Sequence, residues 1–258
     1  MKTYTLTVIT GGASGIGAAC VRHHVKHGDT VIVLDLASAW SEQKAHALGP
    51  AAFYDCDVQD EQRVRAVADL IEAEYGPVDN LITSAGILQR KLSPDVLPMA
   101  HWDAVTNIDL RGTYLCCAVF GSKMAARGSG AIVNIASITS FRASPLHAYG
   151  PAKAAVASLT MGLAAEWGRS GVRVNAVAPG FTLTKAMQSA IDQGDRDPIE
   201  LSQPTAMNRL VMPDEVADGI GFLLSDAARA ITGIVMPIDA GWLCCSHLDA
   251  WGGIPGAV

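Results

Sequence analysis

Short runs of apolar, often β-branched residues alternate along the chain with longer runs in which apolar residues recur every three or four positions. The short runs predict the strands YTLTVIT, TVIVLD, AAFYDCD, VDNLITSAG, GAIVNIAS, VRVNAVAP and GIVMPIDAG. The longer runs predict helices, and in EQRVRAVADLIEAEYG one shared face is expected for Val64, Val67, Leu70 and Ile71. Because the strands are apolar almost throughout and single helices separate them, we expect an α/β fold with a doubly wound, seven-stranded parallel sheet covered on both faces.

A single Rossmann-type domain over residues 1–258 is expected, because no repeat, low-complexity tract or linker divides the chain. The one long irregular stretch, residues 185–213, is dense in polar residues, Gly and Pro, which favours a mobile substrate lid. Beyond the last strand, residues 242–258 predict an apolar tail that packs against another subunit, or alternatively folds back over its own core. The large apolar residues of this tail are Trp242, Leu243, Leu248 and Trp251.

Composition narrows the class of partner. The formal net charge is −6 and the basic residues are scattered, which excludes the electrostatic signature of nucleic-acid or anionic-membrane binding and favours a small molecule. The start MKTYTLTVITGG lacks the pattern of a secretory signal, and no apolar run approaches ~20 residues, so we expect a cytoplasmic protein. The six cysteines have neither CxxC nor zinc-like spacing, so we expect reduced thiols, mostly in the core, and no metal.

The first strand leads into TGGASGIG, Thr10 to Gly17, and a helical pattern follows. Glycines there allow a tight turn and a close approach of backbone N–H groups to a pyrophosphate, whose charge a helix N-terminus favours. Asp35 ends the second strand about 20 residues later, where a carboxylate accepts hydrogen bonds from ribose hydroxyls and repels a 2′-phosphate. No Arg or Lys occupies the loop or directly follows Asp35, so the pattern favours NAD over NADP. The alternative is that Asp35 caps the next helix.

Three further residues stand at a characteristic spacing: Tyr149 lies twelve residues after Ser137 and four before Lys153. With the glycine loop, this combination resembles the classical short-chain dehydrogenase/reductase family over essentially the whole chain. The resemblance implies that Tyr149 is the general acid/base that exchanges a proton with the substrate oxygen while a hydride passes to or from the nicotinamide. It further implies that Ser137 polarises the carbonyl or orients the alcohol, and that Lys153 also binds the nicotinamide ribose.

The chemistry of these side chains supports those roles. A free phenol is protonated at neutral pH, and the ammonium of Lys153, one helical turn along, favours the phenolate. Pro151 is tolerated only in the first turn of a helix, so the helix is expected to begin close to Tyr149, where its partial positive charge adds to the effect. Each residue has a structural alternative as well: a packed aromatic, a solvated lysine and, for Ser137, a helix N-cap.

By the same resemblance, other positions contact the cofactor. Asp57 and Val58 match the pair that brackets the adenine, although Asp57 fits a cap of the following helix equally well. Residues 83–86, TSAG, stand where the family usually has Asn-Asn-Ala-Gly, so the small residues match and both amides are absent. The expected cofactor-binding set is Gly11, Ser14, Gly15, Ile16, Gly17, Asp35, Asp57, Val58, Ala85, Gly86, Tyr149, Lys153, Pro179, Gly180, Thr182 and Thr184.

Asp109 departs from the family pattern. Three residues before Gly112 the family has an asparagine, whose backbone carbonyl completes a catalytic tetrad through a bound water, and here Asn107 lies two residues too early. If the backbone carbonyl does the work, Asp109 preserves the proton relay to Lys153. Its carboxylate would also stabilise the ammonium and oppose the phenolate, which moves activity toward higher pH. The alternative is a carboxyl that is neutral or turned away.

The expected substrate pocket fits a secondary alcohol, polyol or sugar alcohol that is oxidised to its ketone, and the preference for NAD favours that direction. Arg142 offers a clamp for a carboxylate or phosphate, but a solvated side chain is favoured for a loop arginine. Two alternatives remain: a 3-oxoacyl reductase, and a dinucleotide-binding protein with little or no catalysis. By resemblance, we expect a homotetramer or homodimer. The expected pocket residues are Thr139, Phe141, Arg142, Ser144, His147, Lys185 and Met187.

Overall fold

The strands pair side by side into one sheet, and every pairing is parallel. The structure is a computed structural model that describes residues 4–248. Seven strands lie in the order β3-β2-β1-β4-β5-β6-β7. The expected α/β fold with a parallel Rossmann-type sheet is therefore confirmed. The strands are β1 Leu6–Thr10, β2 Thr30–Asp35, β3 Ala52–Asp55, β4 Asn80–Thr83, β5 Gly130–Ile135, β6 Val172–Pro179 and β7 Val235–Ile238.

Helices connect the strands and cover the sheet. They are α1 Gly15–Lys26, α2 Glu42–Leu48, α3 Glu61–Tyr75, α4 Met99–Val105, α5 Thr113–Arg127, α6 Tyr149–Trp167, α7 Lys185–Asp192, α8 Pro198–Ser202, α9 Pro213–Leu224 and α10 Trp242–Cys245. A π-helical segment, Thr106–Gly112, joins α4 to α5 without a break. Among the helices of residues 4–248, none has the length and apolar character needed to cross a bilayer.

The core has two layers, one on each face of the sheet. On one face, Leu6 and Val8 of β1 pack with residues of α3 and α5, such as Phe120. On the other, Ile9 packs with residues of α1 and α9, such as Ile220. Side chains that alternate along β1 thus enter both layers, which is why the strands lack the polar alternation of a half-exposed sheet.

Two expectations about helices are corrected. In α3, Val64, Val67 and Ile71 are fully buried, but Leu70 is 50% exposed, because at about 100° per residue it falls outside the arc that the other three share. Residues 185–213 are not irregular: they contain α7 and α8. Thr184 and Asp197 cap these helices through side-chain oxygens, and the polar composition concealed both. The role of this segment as a lid stays a prediction.

The site lies in a crevice at the topological switch point of the sheet. There, between β1 and β4, the order in which the chain adds strands reverses, and the crevice lies beyond the carboxyl ends of both strands. Thr10, at the end of β1, accepts hydrogen bonds on Oγ1 from the backbone N–H groups of Ser84 and Ala85, at 3.1 and 3.2 Å. These bonds hold the glycine loop against the loop that follows β4. The structure therefore builds both walls of the crevice from residues directly after strands.

Candidate active site

Glycine is required in the loop for two different reasons, lack of space for a Cβ and a left-handed backbone. A Cβ on Gly11, at φ +67°, would lie 2.6 Å from the backbone N of Ala85, and a Cβ on Gly17 would overlap the carbonyl oxygen of Gly11. Gly15, at φ +55°, would meet only the side chain of Thr184, at 3.6 Å. Close packing therefore requires Gly11 and Gly17, whereas at Gly15 the left-handed backbone is the constraint and open space lies beside it.

The backbone N–H groups in the first turn of α1, next to Gly15, have no side-chain capping partner. Ser14 is the N-cap residue, but its side chain makes no capping hydrogen bond, and the first turn carries no acidic residue. A helix N-terminus of this kind favours an anion. The loop therefore fits the pyrophosphate of a dinucleotide.

Asp35 faces the same cleft from the end of β2. Its carboxylate accepts hydrogen bonds from the backbone N–H groups of Ala13 and Leu36, at 2.9 and 2.8 Å. The alternative that it caps the next helix is wrong, since Ser41 caps α2. Two carboxylate oxygens have about four lone-pair sites, so Asp35 retains acceptor capacity for ribose hydroxyls.

The cleft has a volume of about 370 Å³ and collects most of the expected cofactor residues. Gly17 lies buried within α1, outside the lining, while Pro179, Gly180 and Thr182 line the adjoining cavity instead. Lys153 is the one cationic side chain among the described residues that line the cleft. The expected residues that line it are Gly11, Ser14, Gly15, Ile16, Asp35, Asp57, Val58, Ala85, Gly86, Tyr149, Lys153 and Thr184.

Hydrogen bonds and cavity lining also show the surroundings of Asp57, Thr83 and Ser84. Asp57 accepts a hydrogen bond from the backbone N of Gln59 at 2.9 Å, and Asp60 is the residue that caps α3, so the alternative of Asp57 as a helix cap is wrong. Thr83 donates to the side chain of Asn134 within the sheet, at 2.7 Å, and lies outside the cleft lining. Ser84 lines the cleft.

The helix that carries Tyr149 begins at Tyr149 itself, as Pro151 predicts. Four residues on, the Lys153 side chain is buried, and its Nζ lies 5.5 Å from the centroid of the tyrosine ring. Nζ donates a hydrogen bond to the carbonyl oxygen of Ile135 at 3.0 Å. The ammonium is thus fixed beside the phenol.

Asp109 is fully buried and turned toward Lys153, so the alternative that it is turned away is wrong. Its Oδ2 lies 3.3 Å from Lys153 Nζ, and its Oδ1 accepts a hydrogen bond from the backbone N of Ile87 at 2.9 Å. Burial raises the pKa of this carboxyl, while the charge of Lys153 and the Ile87 N–H oppose the rise. Its backbone carbonyl accepts a hydrogen bond from Thr113 Oγ1 at 2.8 Å, while its side chain makes the contact with the ammonium.

Ser137 and Tyr149 share the wall of a second cavity of about 390 Å³, which joins the cleft because Tyr149 and Thr184 border both. Ser137 is buried, and its Oγ accepts a hydrogen bond from the backbone N of Thr139 at 3.2 Å, capping a short 3-10 turn. The capping alternative for Ser137 therefore holds together with its place in the cavity wall. The joined cavities set a dinucleotide cleft beside a space for a small substrate.

The expected substrate residues divide into two groups. Thr139, Arg142, Ser144 and Met187 line the second cavity. Phe141, His147 and Lys185 do not: all three are exposed, Phe141 by 42%. The expectation that these three line the pocket is wrong.

Several residues of this wall carry no sequence signal for a site. Gln89 and Lys91, from the loop after β4, line the cavity together with Arg196 and Trp242. Trp242 makes an edge contact with Phe181 at 6.1 Å between ring centroids, so this first residue of the expected interface tail packs against its own chain. Trp251 and the rest of residues 249–258 lie outside the described residues.

Sequence comparisons place the chain among known enzymes. A family model described as enoyl-(acyl carrier protein) reductase matches residues 11–243. D-threitol dehydrogenase of Mycolicibacterium smegmatis is 39% identical over 243 residues, which cover 92% of this chain and 92% of that protein. Cis-4-hydroxycyclohexanecarboxylate dehydrogenase of Sinomonas cyclohexanicum is 39% identical over 242 residues, which cover 92% of this chain and 96% of that protein.

Solved structures agree in fold. A protein from Brucella melitensis called ribose-5-phosphate isomerase is 45% identical, with a TM-score of 0.94 over 99% of this chain and 98% of that one. ElxO, in a structure with NADPH bound, is 31% identical, with a TM-score of 0.88 over 93% of this chain and 99% of that one. Both similarities cover more than nine tenths of this chain.

Proposed function

The chain belongs to the short-chain dehydrogenase/reductase family, and from that premise we propose that it oxidises a secondary alcohol, such as a polyol or sugar alcohol, to its ketone with NAD. Interconversion of hydroxyl and carbonyl compounds is the activity of the polyol and hydroxy-acid dehydrogenases that resemble it. One observation carries the proposal: the Tyr149 and Lys153 pair sits where the dinucleotide cleft meets a second cavity. A binding protein without catalysis has no physical need for that pair.

Tyr149, Lys153 and Ser137 each have a separate role in the proposed oxidation of an alcohol. We propose that Tyr149, as the phenolate, takes the proton of the substrate hydroxyl, and that Lys153 favours this phenolate by its charge. Ser137 orients the alcohol oxygen and later stabilises the carbonyl by a hydrogen bond. When bound, the nicotinamide supplies the acceptor for the hydride that leaves the carbinol carbon. Asp109 and the Ile135 carbonyl hold Lys153 in place.

Asp35 supports the choice of NAD. Its carboxylate faces the cleft, and an NADP 2′-phosphate at the adenosine ribose would meet this negative charge with no cation among the described lining residues except Lys153, the residue beside Tyr149. ElxO, by contrast, is a relative seen with NADPH. The pattern of charge in this cleft therefore favours NAD.

An isomerase, the name carried by the protein from Brucella melitensis, exchanges protons within one sugar without net oxidation. Such a reaction needs no dinucleotide, so it does not account for the glycine loop, Asp35 or the dinucleotide cleft. The 3-oxoacyl reductase alternative uses the same side chains in the reverse direction. The charge of Asp35 argues against it, because an NAD-linked enzyme draws on a pool that cells keep oxidised.

We also propose a homotetramer or homodimer that works in the cytoplasm, with residues 185–213 as a substrate lid within one dinucleotide-binding domain. Large apolar side chains are exposed on outer helix faces, as at Tyr114 of α5 and Met161 of α6, which favours association. Cys20, Cys56, Cys116 and Cys117 are buried free thiols, and the thiols of Cys244 and Cys245 are free as well, as expected in a reducing compartment.

A panel of alcohols tests the activity. Purified protein is mixed with NAD, and separately with NADP, and NADH or NADPH absorbance is followed over polyols, sugars, hydroxy acids and cyclic alcohols. We expect turnover of at least one polyol or cyclic alcohol, with kcat/KM for NAD at least about tenfold above that for NADP. Reduction of 3-oxoacyl thioesters without oxidation of any alcohol would contradict the proposal, as would a preference for NADP.

A further inference from the structure

The ionisable chains of Lys and Arg that line the second cavity have no acidic counterpart in its wall. Lys91, Arg142 and Arg196 contribute to this wall, and no aspartate or glutamate does so among the described residues. The cofactor cleft beside it has the opposite balance, with three aspartates and one lysine in its lining. The chain as a whole has a formal net charge of −6. The excess of positive charge is therefore a local property of the second cavity.

The three cations reach the cavity from three separate parts of the chain. Lys91 lies in the loop after β4, Arg142 follows the 3-10 turn after β5, and Arg196 lies between α7 and α8, in the segment proposed as a lid. Like charges gathered around one cavity repel one another, and a bound anion relieves that repulsion. The fold thus assembles, at the carboxyl end of the sheet, a wall that favours a negatively charged ligand.

No carboxylate of residues 4–248 neutralises these cations, since none of the three forms an ion pair within 4.0 Å there. Asp195 and Asp197 flank Arg196 in sequence, but neither lines the cavity, and Asp197 accepts the capping hydrogen bond of α8 from the backbone N of Ile199 at 2.8 Å. All three cationic side chains are exposed. Their flexible stems allow the charged ends to turn toward a ligand in the cavity.

Arg142 is the cation most closely tied to the catalytic residues. Residues 142–146 all line the cavity and belong to the segment that connects the turn of Ser137 to the helix of Tyr149. Arg142 Nη2 lies 3.5 Å from the carbonyl oxygen of Leu243, the residue after Trp242 of the cavity wall. A guanidinium has five N–H donors, so this one long contact leaves donors for a ligand. Two parallel hydrogen bonds from a guanidinium match a carboxylate or a phosphate.

From this distribution of charge we infer that the substrate is an anionic alcohol. Its secondary hydroxyl lies at Tyr149 and Ser137, and its carboxylate or phosphate group is bound by Arg142, with Lys91 and Arg196 adding positive charge. The inference rests on the proposed function and narrows its substrate class to hydroxy acids and polyol phosphates. It reverses the sequence-based preference for a solvated Arg142, because two further cations share the wall and no carboxylate does. The cavity volume of about 390 Å³ suits a compact molecule of this class.

Matched alcohols test this inference: ribonate against ribitol, and 3-hydroxycyclohexanecarboxylate against its carboxamide. Ribitol 5-phosphate is the third anion, and its comparison with ribonate shows which anionic group is bound. We expect kcat/KM with NAD to be at least about tenfold higher for the preferred anion than for its neutral partner, the factor that one charge-assisted hydrogen bond supplies. Its KM should also rise more steeply with ionic strength than that of the neutral partner.

Two results are distinguished from support. Neutral alcohols oxidised with kcat/KM equal to or above that of all three anions would overturn the inference and leave the proposed function intact. If no alcohol of the panel, charged or neutral, is oxidised with either cofactor, the proposed function fails and the inference fails with it.

Variants of Arg142 assign the anion to this side chain. Arg142→Met keeps a long side chain without charge, and its ratio of kcat/KM for the anion to kcat/KM for the neutral partner should fall about tenfold, through a higher KM for the anion. Arg142→Lys keeps the charge but not the paired donors, so a smaller fall is expected. Tm and the Kd of NAD are measured for each variant, because a change confined to the anion separates ligand binding from a structural effect.

Arg169→Met is the matched control, since Arg169 is exposed just after α6 and lies outside the lining of both cavities. It removes the same charge from the surface with no expected effect on the ratio. An Arg142→Met enzyme that keeps the wild-type ratio of anion to neutral partner would overturn the role of Arg142.

Discussion

Lys153 has two fixed partners among the described residues, the neutral carbonyl of Ile135 and the carboxylate of Asp109. The carbonyl holds the ammonium without changing the local charge. The carboxylate holds it too, but brings a negative charge into the buried neighbourhood of Tyr149, where a phenolate has to form. Asp109 is therefore expected to set the pH at which the pair works, without itself exchanging a proton with the substrate.

Asp109→Asn is expected to remain active, and the rise of its alcohol oxidation with pH should occur at lower pH than in the wild type, because removal of the carboxylate removes a negative charge from beside the phenol. The two enzymes should converge in acid: burial raises the pKa of Asp109, so its negative charge in the wild type is lost as pH falls through that raised value. The measurement is kcat/KM for alcohol and NAD against pH. Asp103→Asn, an exposed change on α4, is the control. Identical profiles for wild type and Asp109→Asn would refute the role.

Site residues that stand at a characteristic spacing in a sequence motif were predictable from the sequence. Site residues whose role depends on contacts between distant parts of the chain were not. Tyr149, Lys153 and Asp35 have fixed spacing and distinctive chemistry, and all three line the cleft. Gln89 is one polar residue in a loop, and its contacts with Ala148 and Tyr149 join positions 59 and 60 residues apart in sequence. Phe141 and His147 lie close to the motif in sequence, yet both are exposed to solvent.

The connection from α1 to β2 is secured by one acidic residue at the opposite end of the sheet from the site. Asp29 Oδ2 accepts hydrogen bonds from His24 Nδ1, on the last turn of α1, at 2.6 Å, and from Thr7 Oγ1 of β1 at 2.8 Å. Burial raises the pKa of Asp29, but the hydrogen bonds from His24 and Thr7 outweigh it, so the pKa is lowered overall. The contact thus ties a helix to the sheet it covers.

Asp29→Asn is expected to lower the free energy of unfolding by about 1–3 kcal/mol at neutral pH. Because the folded pKa of Asp29 lies below its unfolded value of about 3.9, its stabilisation is present above that pH and is lost as pH falls through the folded pKa. The difference between wild type and variant should therefore shrink in acid. Urea unfolding at neutral pH and near pH 3 measures both values.

Asp69→Asn is the matched control, since Asp69 pairs with Lys123 on the surface and is 70% exposed. Its loss should change stability by at most about 1 kcal/mol. A cost for Asp29→Asn that is equally small at neutral pH, or one that grows in acid, would contradict the account of this connection.

Strands with long apolar runs were predicted correctly from the sequence, whereas short, exposed helices were not. All seven strands lie within their predicted runs because apolar β-branched segments between turns have few alternative conformations. Helices α7 and α8 are short and exposed, so their composition resembles that of a loop. The π-helical segment at Asp109 could not be predicted, since its apolar spacing differs little from that of an ordinary helix.

Association of subunits is the remaining level of organisation. We expect the full chain to sediment as a tetramer or dimer and a chain truncated after Gly241 to sediment as a smaller species, if the tail supplies the principal contact. Sedimentation velocity distinguishes these species. An unchanged oligomer after truncation would exclude the tail from that role, and a monomeric full chain would refute the proposed assembly. Trp242 already packs against Phe181 of its own chain, so binding of NAD by the truncated chain is the necessary control.

The assembled chain brings a dinucleotide cleft, a substrate cavity and one phenol together, and the phenol is the group on which the proposed oxidation depends. Tyr149→Phe removes only the hydroxyl, so the central claim is tested most directly by comparing this variant with the wild type on the best alcohol of the panel. We expect NAD to bind with unchanged Kd while kcat falls about 10²–10⁴-fold. A Tyr149→Phe enzyme that retains wild-type kcat would contradict the account.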